Sequence, residues 1–262
     1  MEFDSDGVRL NYELHGPEAG PPVVLVHGFA SDYKLNWLGT RWQESLTGAG
    51  YRVIGLDCRG HGRSDKPHDP AAYAIDVMAA DVGRLLDELG VPSAHYTSYS
   101  MGARIGLQSV LDFPERVRRA VLGGLGASGA VEDAARIARA LRGGNPESPS
   151  AQSFQKFASA RSINDLQALA ACIEGLGRSS QLDPQRLAAI RTPILLVAGE
   201  RDEIARDAAA LASQIPSAQL VIVPGRDHMG TVPAGQFKEA ALEFLAETDF
   251  GGALPSPRAQ PT

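Results

Sequence analysis

Residues 98–103 read Ser98-Tyr99-Ser100-Met101-Gly102-Ala103, and this stretch decides the fold. It follows a short, rather polar strand candidate, Ala94 to Ser98. It opens a helical pattern from Met101 to Phe113, which stops before Pro114. Two small residues, Ser98 and Gly102, stand two positions either side of Ser100. A side chain on a sharp strand-to-helix turn needs such neighbours, because the turn is strained and strand and helix approach closely. The turn lifts the hydroxyl to the carboxyl end of a sheet, above a helix N-terminus that favours developing negative charge. Ser100 as the N-cap of an ordinary turn is the plainer alternative.

The flanking sequence supplies the sheet. Continuous apolar runs occur at Pro22 to Val26, Arg52 to Leu56, Val117 to Leu122, Ile194 to Val197 and Leu220 to Val223. Such runs are expected of strands covered on both faces, as in a parallel sheet. Ser5-Asp6-Gly7 reads as a hairpin turn leading into the alternating strand Val8 to Leu14. Helical patterns alternate with the runs. From Ala74 to Leu89, Ile75, Met78, Val82, Leu85, Leu86 and Leu89 form one apolar stripe, ended by Gly90. Gln236 to Glu247 is a third helix. This order predicts a doubly wound α/β sheet.

One stretch breaks the alternation. Residues 128–189 carry no strand signal and read as short helices, broken at Gly143-Gly144-Asn145-Pro146 and Glu174-Gly175-Leu176-Gly177. Inserted between two strands, they are expected to form a cap over a core of residues 1–127 and 190–249. Leu141, Phe154, Phe157, Leu166 and Leu169 are its candidate pocket residues. Residues 250–262 have the composition of a flexible tail.

Composition narrows the function classes. Of 262 residues, 44% are hydrophobic and 21% charged, which argues for a globular chain. The net charge is −6 with 25 dispersed Lys and Arg, so neither a nucleic acid nor an anionic membrane is an expected partner. No apolar run reaches 18 residues, and no signal peptide is read at the start. The two cysteines, Cys58 and Cys172, lie far apart, and a reduced cytoplasmic setting is expected. The histidines show no metal-ligand spacing, and no dinucleotide glycine pattern follows a strand. No metal or cofactor is therefore expected.

A serine hydroxyl is a weak nucleophile at neutral pH. It needs a base, and the base needs an orienting carboxylate. The run Ile194 to Val197 leads into Ala198-Gly199-Glu200-Arg201-Asp202, with Asp202 just past the strand. The run Leu220 to Val223 leads into Pro224-Gly225-Arg226-Asp227-His228. The order Ser100, Asp202, His228 then gives nucleophile, acid and base; Glu200 and Asp227 are competing carboxylates. After the first long strand comes His27-Gly28-Phe29-Ala30. Acyl transfer needs two donors for an oxyanion, and the amides of Phe29 and Met101 are the expected pair. Gly28 allows close approach, and His27 is expected to hold this loop rather than act as base. Asp57-Cys58-Arg59-Gly60-His61-Gly62-Arg63-Ser64 reads as scaffold near the site, with Cys58 a small buried residue.

Taken together, these five motifs resemble the α/β-hydrolase superfamily from about Val8 to Ala246. The resemblance implies a mainly parallel eight-stranded sheet and a helical cap after the sixth strand. It departs from the usual elbow in two places: Ser98 stands for Gly, and Tyr99 stands for the common His and is expected to alter the pocket wall. A Ser at the nucleophile position argues against the dehalogenase and epoxide hydrolase branches. The implied function is hydrolysis of a carboxylic ester or similar acyl bond in a small molecule. The alternatives are a carbon–carbon bond hydrolase or enol-lactonase, or a cofactor-free perhydrolase or haloperoxidase, with the same triad, and a slow-turnover ligand receptor on the same fold, a reading that the intact triad weakens.

Overall fold

Alternate residues of the strand β3 (Pro22–Val26) fall into two separate cores. Val23 and Leu25 join one buried cluster, Val24 and Val26 another. Successive side chains of a strand point to opposite faces, so an apolar strand must be covered on both sides. The computed structural model describes residues 1–128, 133–178 and 182–247. The expected tail, 250–262, lies outside them, as do residues 129–132 and 179–181 of the expected cap.

Eight strands form one sheet. Before β3 come β1 (Glu2–Ser5) and β2 (Val8–His15), paired as an antiparallel hairpin. After it come β4 (Arg52–Leu56), β5 (Ala94–Tyr99), β6 (Val117–Gly123), β7 (Ile194–Gly199) and β8 (Ala218–Val223). The spatial order is β1-β2-β4-β3-β5-β6-β7-β8. β2 runs antiparallel to β4, and every pairing from β4 to β8 is parallel. This is the expected mainly parallel, doubly wound α/β sheet.

The helices are α1 (Trp42–Gly48), α2 (Ile75–Glu88), α3 (Met101–Asp112), α4 (Ala134–Leu141), α5 (Pro149–Ser159), α6 (Leu166–Arg178), α7 (Pro184–Ala188), α8 (Ala208–Gln214), α9 (His228–Thr231) and α10 (Gly235–Ala246). Trp42 and Leu46 of α1 and Phe237 and Phe244 of α10 cover one face of the sheet. Residues of α2, α3 and α8 cover the other. The α2 stripe is buried as expected, but the helix is one residue shorter at each end. Ala74 is extended, and Gly90 takes the left-handed φ of +62° that ends a helix cheaply.

Two strand expectations change. The run Leu220 to Val223 belongs to the edge strand β8, where Ile222 is 46% exposed. An apolar run signals β structure but does not say how many neighbours the strand has. Conversely, the faint polar candidate became β5, between β3 and β6 at the middle of the sheet. Ser98 is fully buried there and donates its hydroxyl hydrogen to the Val121 carbonyl at 3.3 Å.

Between β6 and β7 the described residues form helices joined by turns, with no strand among them. α4 packs on α5 and α6, whereas α7 packs on α8. Arg186 of α7 donates to the Leu111 carbonyl and to Asp112 at the end of α3. Among the described residues, no helix is long and apolar enough to cross a membrane.

Candidate active site

The strand order reverses around β3, since β4 lies on one side of it and β5 on the other. Connections leave β3 and β5 in opposite directions, which opens a crevice at their carboxyl ends. Ser100 sits there. Its φ of +55° and ψ of −115° lie in a region that L side chains rarely adopt. The Ser100 amide donates to the Gly123 carbonyl at 2.8 Å, and the Arg104 amide donates to the Ser100 carbonyl at 3.0 Å. A Cβ at Gly102 would lie 2.1 Å from the Val26 carbonyl oxygen, so that position must be glycine. Ser98 is accommodated because Gly106 faces it: a Cβ at 106 would lie 2.7 Å from the Ser98 hydroxyl oxygen.

β7 and β8 deliver the partners. His228 Nε2 lies 3.0 Å from Ser100 Oγ, and its Nδ1 lies 3.0 and 2.9 Å from the two Asp202 oxygens. This geometry suits a neutral imidazole that accepts from the serine and donates to the carboxylate. The Asp202 side chain is wholly shielded from solvent. Its Oδ1 also accepts the Ile204 and Ala205 amides, each at 3.0 Å, which fix the carboxylate in place. The competing carboxylates are engaged elsewhere. Glu200 accepts the Gly225 amide at 2.7 Å, and Asp227 caps α9 through the Gly230 amide at 2.7 Å.

Tyr99 lies elsewhere than the pocket wall. Its ring packs 5.2 Å from the His228 ring, beneath the site, and only 2% of it is exposed. Its hydroxyl donates to the His228 carbonyl at 2.5 Å. Burial pushes the phenol pKa upward, so the group stays a neutral donor.

The loops after β3 and β4 satisfy most of their own polar groups, although Asn36 Nδ2 and His61 Nε2 are buried without a hydrogen-bond partner among the described residues. His27 is fully buried; its Nδ1 lies 2.8 Å from the Gly28 carbonyl, and its Nε2 accepts the Cys58 amide at 3.0 Å. Burial lowers its pKa, so the ring is neutral. Asp57 accepts the Tyr33 and Arg63 amides and the Asn11 side chain at 2.8 to 3.0 Å. His61 packs on His27 and Phe29, and burial drives its pKa down to about 3. Arg59 pairs with buried Asp81 at 2.6 Å. Burial pushes the Cys58 thiol well up, which makes it a poor nucleophile. Among the described residues, no group of three His, Cys, Asp or Glu is placed to hold a metal.

Comparison with known proteins places this arrangement. The sequence profile of the alpha/beta hydrolase fold matches residues 21–160. A Bacillus subtilis (strain 168) protein, provisionally named 2-succinyl-6-hydroxy-2,4-cyclohexadiene-1-carboxylate synthase, is 31% identical over 92% of this chain and 96% of its own length. The chain belongs to the α/β-hydrolase family. A hydrolase from Pseudomonas aeruginosa PA01 superposes with a TM-score of 0.79 at 27% identity, over 94% of this chain and 98% of that one. The enol-lactonase from Burkholderia xenovorans LB400 gives a TM-score of 0.81 at 23% identity, over 94% and 100%, and so shows the shared fold.

In this α/β-hydrolase the crevice is a cavity of about 330 Å³. Ser100, Met101, Phe29 and Arg104 line it from the sheet side; Phe154 of α5 and Ile173 of α6 line it from the inserted helices. A Cβ at Gly28 would lie 3.4 Å from Ser100 Cβ, so Gly28 brings the β3 loop against the serine. Of the five expected cap residues, only Phe154 reaches this cavity. Leu141 and Leu169 are buried in the main core, and Phe157 and Leu166 pack against it. An apolar side chain at helical spacing carries no mark of whether it meets core or cavity. Arg104 had a signal that was missed: four residues after Ser100, it shares the serine's helix face. Burial lowers its pKa.

Proposed function

We propose that this α/β-hydrolase is a serine hydrolase that cleaves a carboxylic ester, or a related acyl bond, through an acyl-enzyme on Ser100. The observation that carries this reading is the unbroken line Ser100 Oγ–His228–Asp202, with steps of 3.0 and 2.9 Å. Family membership and the hydrolases among its relatives support hydrolytic chemistry.

His228 takes the Ser100 proton as the oxygen attacks the substrate carbonyl. The amides of Phe29 and Met101 receive the oxyanion. As the tetrahedral intermediate collapses, His228 protonates the leaving alcohol. Water, deprotonated by His228, then attacks the acyl-enzyme and frees the acid. Asp202 holds the Nδ1–H tautomer and stabilises the imidazolium. His27, Gly28 and Tyr99 support the loops that carry these groups. The chemistry requires neither metal nor organic cofactor. The inserted helices α4 to α6 serve as a cap over the sheet and its flanking helices, screening the acyl-enzyme from bulk water, whereas α7 packs on the core. The substrate is a small molecule that fits a largely apolar cavity.

The test is direct. Phenylmethylsulfonyl fluoride adds to Ser100, read by mass spectrometry of the digested protein, and Ser100→Ala abolishes turnover of p-nitrophenyl esters. Labelling elsewhere, or full activity in Ser100→Ala, would sink the mechanism.

Arg104 favours a second reading, in which the same triad acts on a carboxylate-bearing lactone or carbon–carbon bond. A guanidinium inside the cavity suits an acid group on the substrate, and the Bacillus subtilis relative is named as the synthase of a cyclohexadiene carboxylate. Faster turnover of acid-bearing lactones than of neutral esters would select it.

A further inference from the structure

The loop that carries the Phe29 amide is held from above by the inserted helices. Residues 160–165 connect α5 to α6 and descend onto residues 30–32. Arg161 Nη2 donates to Asp32 Oδ2 at 2.5 Å, and the Asp32 side chain is only 5% exposed. Asp32 Oδ1 accepts the Leu35 amide at 2.7 Å. One residue past Phe29, Ala30 has a φ of +55°, and its carbonyl accepts from Asn164 Nδ2 at 3.3 Å. The other Nδ2 hydrogen goes to the Ala158 carbonyl at 3.0 Å, which fixes the amide on its own helix end. Phe154 of α5 packs edge-on against the Phe29 ring at 5.6 Å. Two contacts from the connection and one from α5 thus converge on one short loop.

A left-handed φ on a residue with a Cβ costs of the order of 1 kcal/mol, and it persists only where its surroundings impose it. Gly28 is fixed from the core side, since its amide donates to Asn36 Oδ1 at 3.1 Å. The strained residue, by contrast, is bonded through its carbonyl to the inserted segment. The turn is also closed locally, the Ser31 amide donating to the Gly28 carbonyl at 3.2 Å; without the inserted segment that single long bond is left to oppose relaxation of Ala30 toward negative φ, which would turn the peptide units beside it. Phe29 N is one residue away from that rotation.

We propose that Arg161 and Asn164 are positioning residues for the oxyanion site: the inserted helices do more than roof the cavity, because they hold the Phe29 amide in its donating orientation through Asp32 and the Ala30 carbonyl. Stabilisation of the oxyanion therefore depends on the α5–α6 connection being seated. The inference rests on the reading of Phe29 as an oxyanion donor. An oxyanion exists only in the transition state and intermediates, so losing the clamp should lower kcat and leave substrate affinity nearly untouched.

The experiment compares wild type, Arg161→Gln, Arg161→Lys and Asn164→Ala on a p-nitrophenyl ester, and measures inhibition by a trifluoromethyl ketone of the same acyl chain. Thermal melting provides a control for folding. The expected result for Arg161→Gln is a fall in kcat of roughly 10- to 100-fold, on the scale of a weakened oxyanion donor. KM should stay within about threefold. Ketone inhibition should weaken by the same factor as kcat, because its adduct carries the oxyanion. Arg161→Lys should restore most of both. In an Ala30→Gly background, where φ of +55° carries no strain, the loss on Arg161→Gln should shrink. The proposal is overturned if kcat and ketone inhibition are unchanged in Arg161→Gln. It is equally overturned if KM rises as much as kcat falls. Failure of the wild type to turn over esters or to bind the ketone would instead strike the serine hydrolase reading.

Discussion

Two histidine–aspartate groups flank the reversal point of the sheet, and they differ in what surrounds them. On the β7–β8 side, Asp202 is shielded while the His228 side chain keeps 16% of its surface open, with one ring nitrogen aimed at Ser100. On the β3–β4 side, His27 and His61 are fully buried, and Asp57 is satisfied by three donors. Both ring nitrogens of His27 are committed to backbone groups. The same residue types thus make the proposed reactive group in one place and scaffold in the other. The difference is whether a polar atom is left facing the cavity.

The largest expected effect comes from taking the acid out of the first group. Asp202→Asn should lower kcat about 10⁴-fold on an activated ester, because the amide favours the wrong imidazole tautomer. KM and thermal melting should barely move. A loss under about tenfold would erase the contrast between the two sides.

Removing the carboxylate from the second group should act on stability instead. Asp57→Ala strands the Tyr33 and Arg63 amides and the Asn11 side chain, at a cost of about 3 kcal/mol in denaturant titration. Activity per titrated serine should change far less than in Asp202→Asn. A loss of turnover in fully folded Asp57→Ala would make this side part of the machinery.

Tyr99→Phe probes the seam between the two. It removes one hydrogen bond, to the His228 carbonyl, and should cost about 1 kcal/mol of stability, with a kcat change of a few-fold. An effect as large as that of Asp202→Asn would mean that the tyrosine does more than hold the loop.

His61 gives no effect at neutral pH and is visible only in acid. Its pKa is depressed to about 3 in the fold, against an ordinary value of 6.5. The unfolded chain therefore binds an extra proton between those values. The stability due to neutral His61 is complete above pH 6.5 and is lost as the pH falls toward 3. The slope is at most about 1.4 kcal/mol per pH unit. His61→Gln should flatten the acid side of the stability profile by that one proton. An unchanged slope would show that the ring is not buried neutral.

Sequence and structure agree best where the information is local. The turn at Ser100 announces itself through Ser98 and Gly102, which small-residue sterics demand within five positions. Asp202 and His228 are readable because each follows an apolar run, and the α2 stripe because its period is 3.6. Legibility fades where a residue's role depends on a distant partner. Tyr99 was expected on the wall, yet its fate is set by the His228 carbonyl, 129 residues away. Arg161 and Asn164 sit in an unremarkable polar connection, and their meaning comes from Asp32 and Ala30. Leu141 and Phe154 look alike as letters on helices, and only packing sends one to the core and the other to the cavity. The edge position of β8 was hidden for the same reason.

Trp42 bears on how the molecule is made. Its indole N–H donates to the Val232 carbonyl at 2.8 Å across 190 residues, and its ring packs on Phe237 at 4.7 Å. The face that supports α9, and with it His228, cannot close until that distant segment has been synthesised. At about 5–20 residues per second, the 128 positions from Ser100 to His228 take roughly 6–26 s to translate. During that interval a nascent chain holds the serine without its base. Under the proposed mechanism the nucleophile exists before the group that activates it, so the half-made chain would be chemically silent while its unfinished core is still exposed.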